Sequence, residues 1–254
     1  MGTEPPPVDA GWNEIKAWRK ALRAEVIARR AQSPDASRKA LNERITQHLL
    51  AGFDMPADAV VGYCWPYKGE FDPRFAIRRW REQGTTAALP EVVAPRTPLQ
   101  FRKWWPGCPL KPGVYDIPVP DGSEVLVPDV AIVPMNAFDE HGFRLGYGGG
   151  YFDRTLAALG RRLVAIGVSY DMLRVPTIRP QPHDVPMDFV VTESGVYRAG
   201  GERLALIDTV EARRDFEDLL ARRALPRAAH ASGYSSPACY AAEFPDYFGE
   251  KPGE

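Results

Sequence analysis

Gly146-Tyr147-Gly148-Gly149-Gly150 packs four glycines into five residues. Glycine loses more backbone entropy on folding than any other residue, so a run this dense belongs where the chain turns tightly or its amides meet a ligand. The flanks decide what it connects. Val130-Ala131-Ile132-Val133-Pro134 upstream is a short apolar run that reads as a buried strand. Tyr151 to Leu159 downstream reads as a helix, and Leu163 to Val168 as the next strand. Strand, glycine loop, helix, strand is a parallel crossover unit, an α/β arrangement. Unpaired N–H groups and the helix dipole make such a junction a phosphate site. The loop is not a Walker sequence, and the third glycine of a GxGxxG fingerprint would fall at Tyr151. A tight turn without a ligand is the competing explanation. Asp153, in the first turn of the helix, either favours the helix N-terminus or holds Mg²⁺ beside phosphates.

The rest of the chain extends this unit. Ala59 to Cys64 and Thr85 to Leu89 read as strands around a helix from Arg74 to Gln83, and Asp188 to Val191 as a last short strand. This alternation favours a parallel sheet with helices on its faces. Prolines interrupt residues 90–122, where Leu99 to Trp105 forms an edge strand or hairpin arm. Trp104 and Trp105 either pack in the core or stack on a ligand. Near the N-terminus, Trp12, Ile15, Trp18, Leu22 and Val26 recur at helical spacing, with Lys16, Arg19, Lys20 and Arg23 beside them. Six basic and two acidic residues lie between Trp12 and Ala31, yet the whole chain has a net charge of -1. That stripe is either a solvated face or one turned toward phosphates.

A chain of 254 residues, 44% of them hydrophobic, buries a full core without staples. The balanced charge gives no basic excess for nucleic acid. Cys64, Cys108 and Cys239 form no CxxC pair, so neither a disulfide framework nor a zinc site is expected. No apolar run is long enough for a membrane span, and the first residues lack the apolar core of a signal peptide. A cytoplasmic protein, monomeric or weakly homodimeric, is the expectation. Residues 1–11 are proline-rich and expected to be disordered. From Gly200-Gly201 onward Leu204, Ile207, Val210, Leu219 and Leu220 suggest one amphipathic helix. A tail of prolines and aromatics, including Tyr234 and Phe244, follows it.

The run from Val133 to Leu156, VPMNAFDEHGFRLGYGGGYFDRTL, closely resembles the signature of the 5-formyltetrahydrofolate cyclo-ligase family. The likeness covers roughly residues 12–198. The N-terminal basic helix, Gly69-Glu70-Phe71-Asp72 and His183-Asp184-Val185-Pro186-Met187-Asp188 resemble the family's other motifs, in order. The resemblance implies a three-layer α/β/α fold with a mostly parallel, Rossmann-like sheet. A catalytic domain would span residues 12–200 and a C-terminal extension 201–254, dispensable for the chemistry. It also implies ATP-dependent conversion of 5-formyltetrahydrofolate to 5,10-methenyltetrahydrofolate.

Carried over by position, Lys16, Arg19 and Arg23 would hold the ATP phosphates. Arg144, Leu145, Gly146, Tyr147, Gly148, Gly149, Gly150, Tyr151 and Phe152 would wrap the triphosphate. Residues 147–151 would also face the folate. Arg144 and Tyr151 would act at the reacting centre, Tyr67, Glu70 and Asp72 would line the folate side, and Asp153 and Asp184 would bind Mg²⁺. Some relatives carry Arg or Lys where this chain has Tyr147 and Gly149, so the positive charge must come from elsewhere. The alternative function is a catalytically reduced nucleotide- or folate-binding module acting through a partner.

Overall fold

The computed structural model describes residues 3–223. Helices α1 (Trp12–Ala31) and α2 (Asp35–Gly52) precede the first strand, β1 (Val60–Tyr63). Then come α3 (Arg74–Glu82), β2 (Thr86–Glu91) and β3 (Gln100–Trp104). A hairpin of β4 (Leu110–Pro112) and β5 (Pro118–Pro120), then β6 (Val125–Leu126), leads to β7 (Val130–Pro134). The short strands β8 (Ala137–Phe138) and β9 (Arg144–Leu145) bring the chain to the glycine loop. After it follow α4 (Tyr151–Leu159), β10 (Val164–Val168), β11 (Phe189–Thr192), β12 (Gly195–Arg198), β13 (Ala205–Ile207) and α5 (Thr209–Arg223).

Nine strands form the main sheet, in the order β13-β12-β11-β10-β7-β1-β2-β3-β6. The five from β11 to β2 are parallel, and antiparallel strands extend both edges. Alternation along each strand sends side chains to opposite faces. Val130 and Ile132 join the core beneath α1, α2, α3 and α5, whereas Ala131 and Val133 pack toward Leu156 and Leu159 of α4. Helices thus cover both faces, giving the expected three layers. From β1 the chain moves to β2 on one side, and from β7 to β10 on the other. The order therefore reverses between β1 and β7, and the crevice beyond such a point is where open α/β sheets bind ligands.

Two expectations about the ends change. Residues 3–11 are placed along the protein: the Thr3 N–H and hydroxyl donate to Glu25 at 2.8 and 2.6 Å, and Arg179 Nε donates to the Pro6 carbonyl at 2.7 Å. Prolines here stiffen an extended strap instead of freeing it. Residues 201–223 are not a separate appendage. Ile207, expected in a helix, lies instead in a strand, β13, which pairs antiparallel with β12, and Leu204 just before it is held by its N–H donating to the Glu140 carbonyl. Val210 is exposed, but Ala212 and Phe216 of α5 are fully buried, Phe216 edge-on to Phe53 at 5.2 Å. Arg223 closes the unit with paired 2.7 Å hydrogen bonds to Asp188. The proline and aromatic tail from 224 lies outside the described residues.

Candidate active site

A cavity of about 360 Å³ opens in the crevice at the β1–β7 reversal. Cys64 and Trp65 after β1, Pro90 of β2 and Pro134 of β7 form its floor. The whole of residues 144–153 forms one wall. Val114, Ile117 and Val119 of the β4–β5 hairpin supply an apolar wall that the sequence did not announce.

The glycine loop owes its shape to two positions. Gly150 sits at φ 62° as the N-cap of α4, a left-handed conformation that side chains rarely adopt. Gly149 lies under the Tyr151 ring, where an added Cβ would stand 2.8 Å from ring atoms. Arg23 donates from Nε to the Gly146 carbonyl at 2.6 Å, and its guanidinium lies against Gly148. Arg154 hydrogen-bonds the Gly149 carbonyl and sits 5.1 Å from the Tyr151 ring centre. Cationic side chains from α1 and α4 thus clasp the loop, which itself has none.

Arg19 reaches the cavity from the same helix face as Arg23. It is buried, donates to the carbonyls of Ile178 and Arg179 at 2.9 Å, and pairs with Asp184 at 2.5 Å. Arg144 NH2 pairs with Asp153 at 2.9 Å while its NH1 donates to the Val185 carbonyl. Its side chain is only 3% exposed, so the guanidinium expected at the reacting centre holds the wall together. Asp153 and Asp184 both line the cavity, and both act on His183, whose proton affinity burial nonetheless depresses.

Across the cavity, the Tyr67–Glu70 loop faces the glycine loop. Glu70 is buried; its carboxylate accepts from the Tyr67 N–H and from the Tyr147 hydroxyl, each at 3.0 Å. Burial holds the Glu70 carboxyl above the usual carboxylate range, against the opposing pull of Arg30 and these two hydrogen bonds.

Most residues predicted from the sequence converge here. Arg19, Arg23, Tyr67, Glu70, Asp153, Asp184 and all of 144–152 line one cavity. Two do not. Lys16 is exposed on α1 and outside the lining. Asp72 turns to its neighbour Arg74, accepting from Nε at 2.8 Å and from the backbone N–H at 3.1 Å, which starts α3 instead of facing a substrate. The tryptophan that lines the cavity is Trp65; Trp104 packs edge-on against Trp65 and Tyr63. Arg30, fully buried in the last turn of α1, was missed as well. It stands four residues beyond Val26 on the apolar stripe, and a charge in that register signals a buried partner.

The sequence profile of the 5-formyltetrahydrofolate cyclo-ligase family matches residues 15–193. The chain belongs to this family. The cyclo-ligase of Mycoplasma pneumoniae is 32% identical over 180 residues, which cover 69% of this chain and 98% of that one. The Haemophilus influenzae cyclo-ligase is 27% identical over 177 residues, covering 66% and 94%. Among solved structures, the Aquifex aeolicus 5,10-methenyltetrahydrofolate synthetase aligns with a TM-score of 0.61 at 28% identity, covering 75% of this chain and 96% of that one. The M. pneumoniae 5,10-methenyltetrahydrofolate synthetase aligns with a TM-score of 0.57 at 22% identity and covers 69% and 98%, a likeness of fold. Among the described residues of this cyclo-ligase family member, no helix is long and apolar enough to cross a membrane.

Proposed function

We propose that this chain catalyses the ATP-dependent cyclisation of 5-formyltetrahydrofolate to 5,10-methenyltetrahydrofolate, releasing ADP and phosphate. The observation that carries the reading is the single cavity in which a clasped glycine loop faces a buried carboxylate across apolar walls. ATP and folate are both substrates. The formyl oxygen takes the γ-phosphoryl group as ADP leaves; N10 then attacks the formyl carbon, its proton is lost, and phosphate departs. Such a reaction needs charge neutralisation and alignment more than a protein nucleophile.

The roles follow from the residues. Backbone amides at 148–150 and the α4 N-terminus meet the phosphates, and Arg19 and Arg23 balance their charge. Tyr151, stacked over Gly149, borders the transfer point. Apolar Val114, Ile117 and Val119 exclude water from the folate ring system. The donor set fits Mg²⁺ in one way. Among the described residues no group of three His, Cys, Asp or Glu side chains is arranged to hold a metal. Mg²⁺, however, asks for only one or two carboxylates when phosphate oxygens and water complete its shell. Asp153 and Asp184, both on the cavity wall, would supply those two while their arginine partners hold the carboxylates in place. Bound there, the ion neutralises charge that develops during phosphoryl transfer.

The test is the appearance of methenyl-folate absorbance with purified protein, ATP, Mg²⁺ and 5-formyltetrahydrofolate. An inactive protein that binds both ligands would instead favour the binding-module alternative. In the same assay Asp153→Asn keeps an oxygen for Arg144 but loses the charge. Losing a charge-assisted contact of roughly 1.5–3 kcal/mol lowers turnover by about 10–100-fold, with a cooperative melt retained. Wild-type turnover across a Mg²⁺ titration would remove Asp153 from the metal site.

A further inference from the structure

Tyr147 belongs to the glycine loop by sequence but to the opposite wall by contact. Its hydroxyl accepts from Arg30 NH2 at 3.0 Å and donates to Glu70 Oε1 at 3.0 Å. Arg30 is itself fixed, donating from Nε to the Lys68 carbonyl at 3.0 Å. The Tyr147 ring meets the Tyr67 ring edge-on at 5.5 Å. Each Glu70 oxygen therefore has one fixed donor, from Tyr147 and from the Tyr67 amide, which sets the carboxylate plane. A carboxylate oxygen has room for more than one donor, so both keep acceptor capacity for a ligand.

We infer that Tyr147 is a positioning residue of the folate side: held by Arg30, its hydroxyl fixes the Glu70 carboxylate that faces the substrate. The loop therefore divides its labour. Its glycine amides, with Arg23 alongside, serve the phosphates; its one bulky side chain serves the folate. A cation at position 147 would pair with Glu70 directly and withdraw the oxygen that Tyr147 leaves available.

The inference rests on the cyclo-ligase reading, and the experiment separates the two. Tyr147→Phe keeps the ring contact with Tyr67 and removes only the hydroxyl. A hydrogen bond to a charged group corresponds to a KM for 5-formyltetrahydrofolate about tenfold higher, with the KM for ATP and the melting temperature essentially unchanged. The pH profile adds a readout that a structural role would not move. Ionised Glu70 faces Arg30 from α1, Tyr147 from the glycine loop, Cys64 beyond β1 and Tyr170 beyond β10. The Tyr147 bond holds the Glu70 carboxyl lower than burial alone would leave it. Its removal is therefore expected to move the acid limb of kcat/KM for folate to higher pH. Glu70→Gln is expected to abolish that limb. An unchanged folate KM, or an ATP KM that rises as much as the folate KM, overturns the inference while leaving the cyclo-ligase reading intact. A wild-type protein that forms no methenyl-folate overturns the reading, and the inference with it.

Discussion

Gly149→Ala is expected to reduce turnover by about 100-fold, the scale of an ångström-sized misplacement at a reacting centre. The added methyl group would stand 2.8 Å from the Tyr151 ring, closer than real side chains approach, so one of them must move. Tyr151 is the first residue of α4, and Arg154 fastens that turn to the Gly149 carbonyl. The ring therefore yields by displacing the loop or by swinging into the cavity, and both spoil the phosphate cradle. The strand and helix cores on either side do not touch this methyl. The melting temperature should fall by only a few degrees, consistent with a local cost of about 1 kcal/mol. Single-turnover absorbance and nucleotide affinity, measured beside a melt, check both halves. Full activity with unchanged ATP affinity would place Gly149 outside the cradle.

The second large effect is on folding. A chain ending at Gly200 loses β13 and α5, and with them the buried side chains of Ile207, Ala212 and Phe216. Phe53 would lose its ring partner at 5.2 Å, and Asp188 its arginine. Deleting one buried phenylalanine side chain costs about 3–5 kcal/mol, against a total stability of about 5–15 kcal/mol. That truncation is expected to be insoluble or to lack a cooperative melt. A chain ending at Arg223 keeps these contacts and is expected to retain both melt and turnover. On these contacts a dispensable segment is expected to begin no earlier than after Arg223, instead of after Gly201. A folded, active chain ending at Gly200 would contradict this account.

What the sequence made legible was local. The glycine loop, its flanking strand and α4 lie within one stretch, and apolar runs bounded by turn residues identify the parallel strands without distant contacts. The errors arise where a distant or very near partner changes the meaning of a residue. The partners of Arg30 lie 38 and 117 positions away, so only its place on an apolar stripe hinted at burial. Asp72 sits in a motif that resembles a substrate loop, yet an arginine two residues on captures it. Leu204 and Ile207 have a spacing that fits a helix, but Ile207 is taken by the pairing of β13 to β12 and Leu204 by a backbone bond to Glu140. The apolar hairpin wall gave no pattern at all, because β4 and β5 are three residues each and rich in proline.

Arg19 finds its partners 159–165 residues further along the chain, at Ile178, Arg179 and Asp184. During synthesis from the N-terminus, α1 emerges long before the segment that receives it. Its basic face must stay solvated while the sheet assembles, and charge is what keeps an unfinished helix from sticking to its neighbours. Docking of α1 is then expected to be a late event, governed by long-range loop closure, which is slow compared with local helix formation. The arginine that ends bonded to Asp184 and the carbonyls of Ile178 and Arg179 is thus expected to serve earlier as a solubilising surface on the nascent chain.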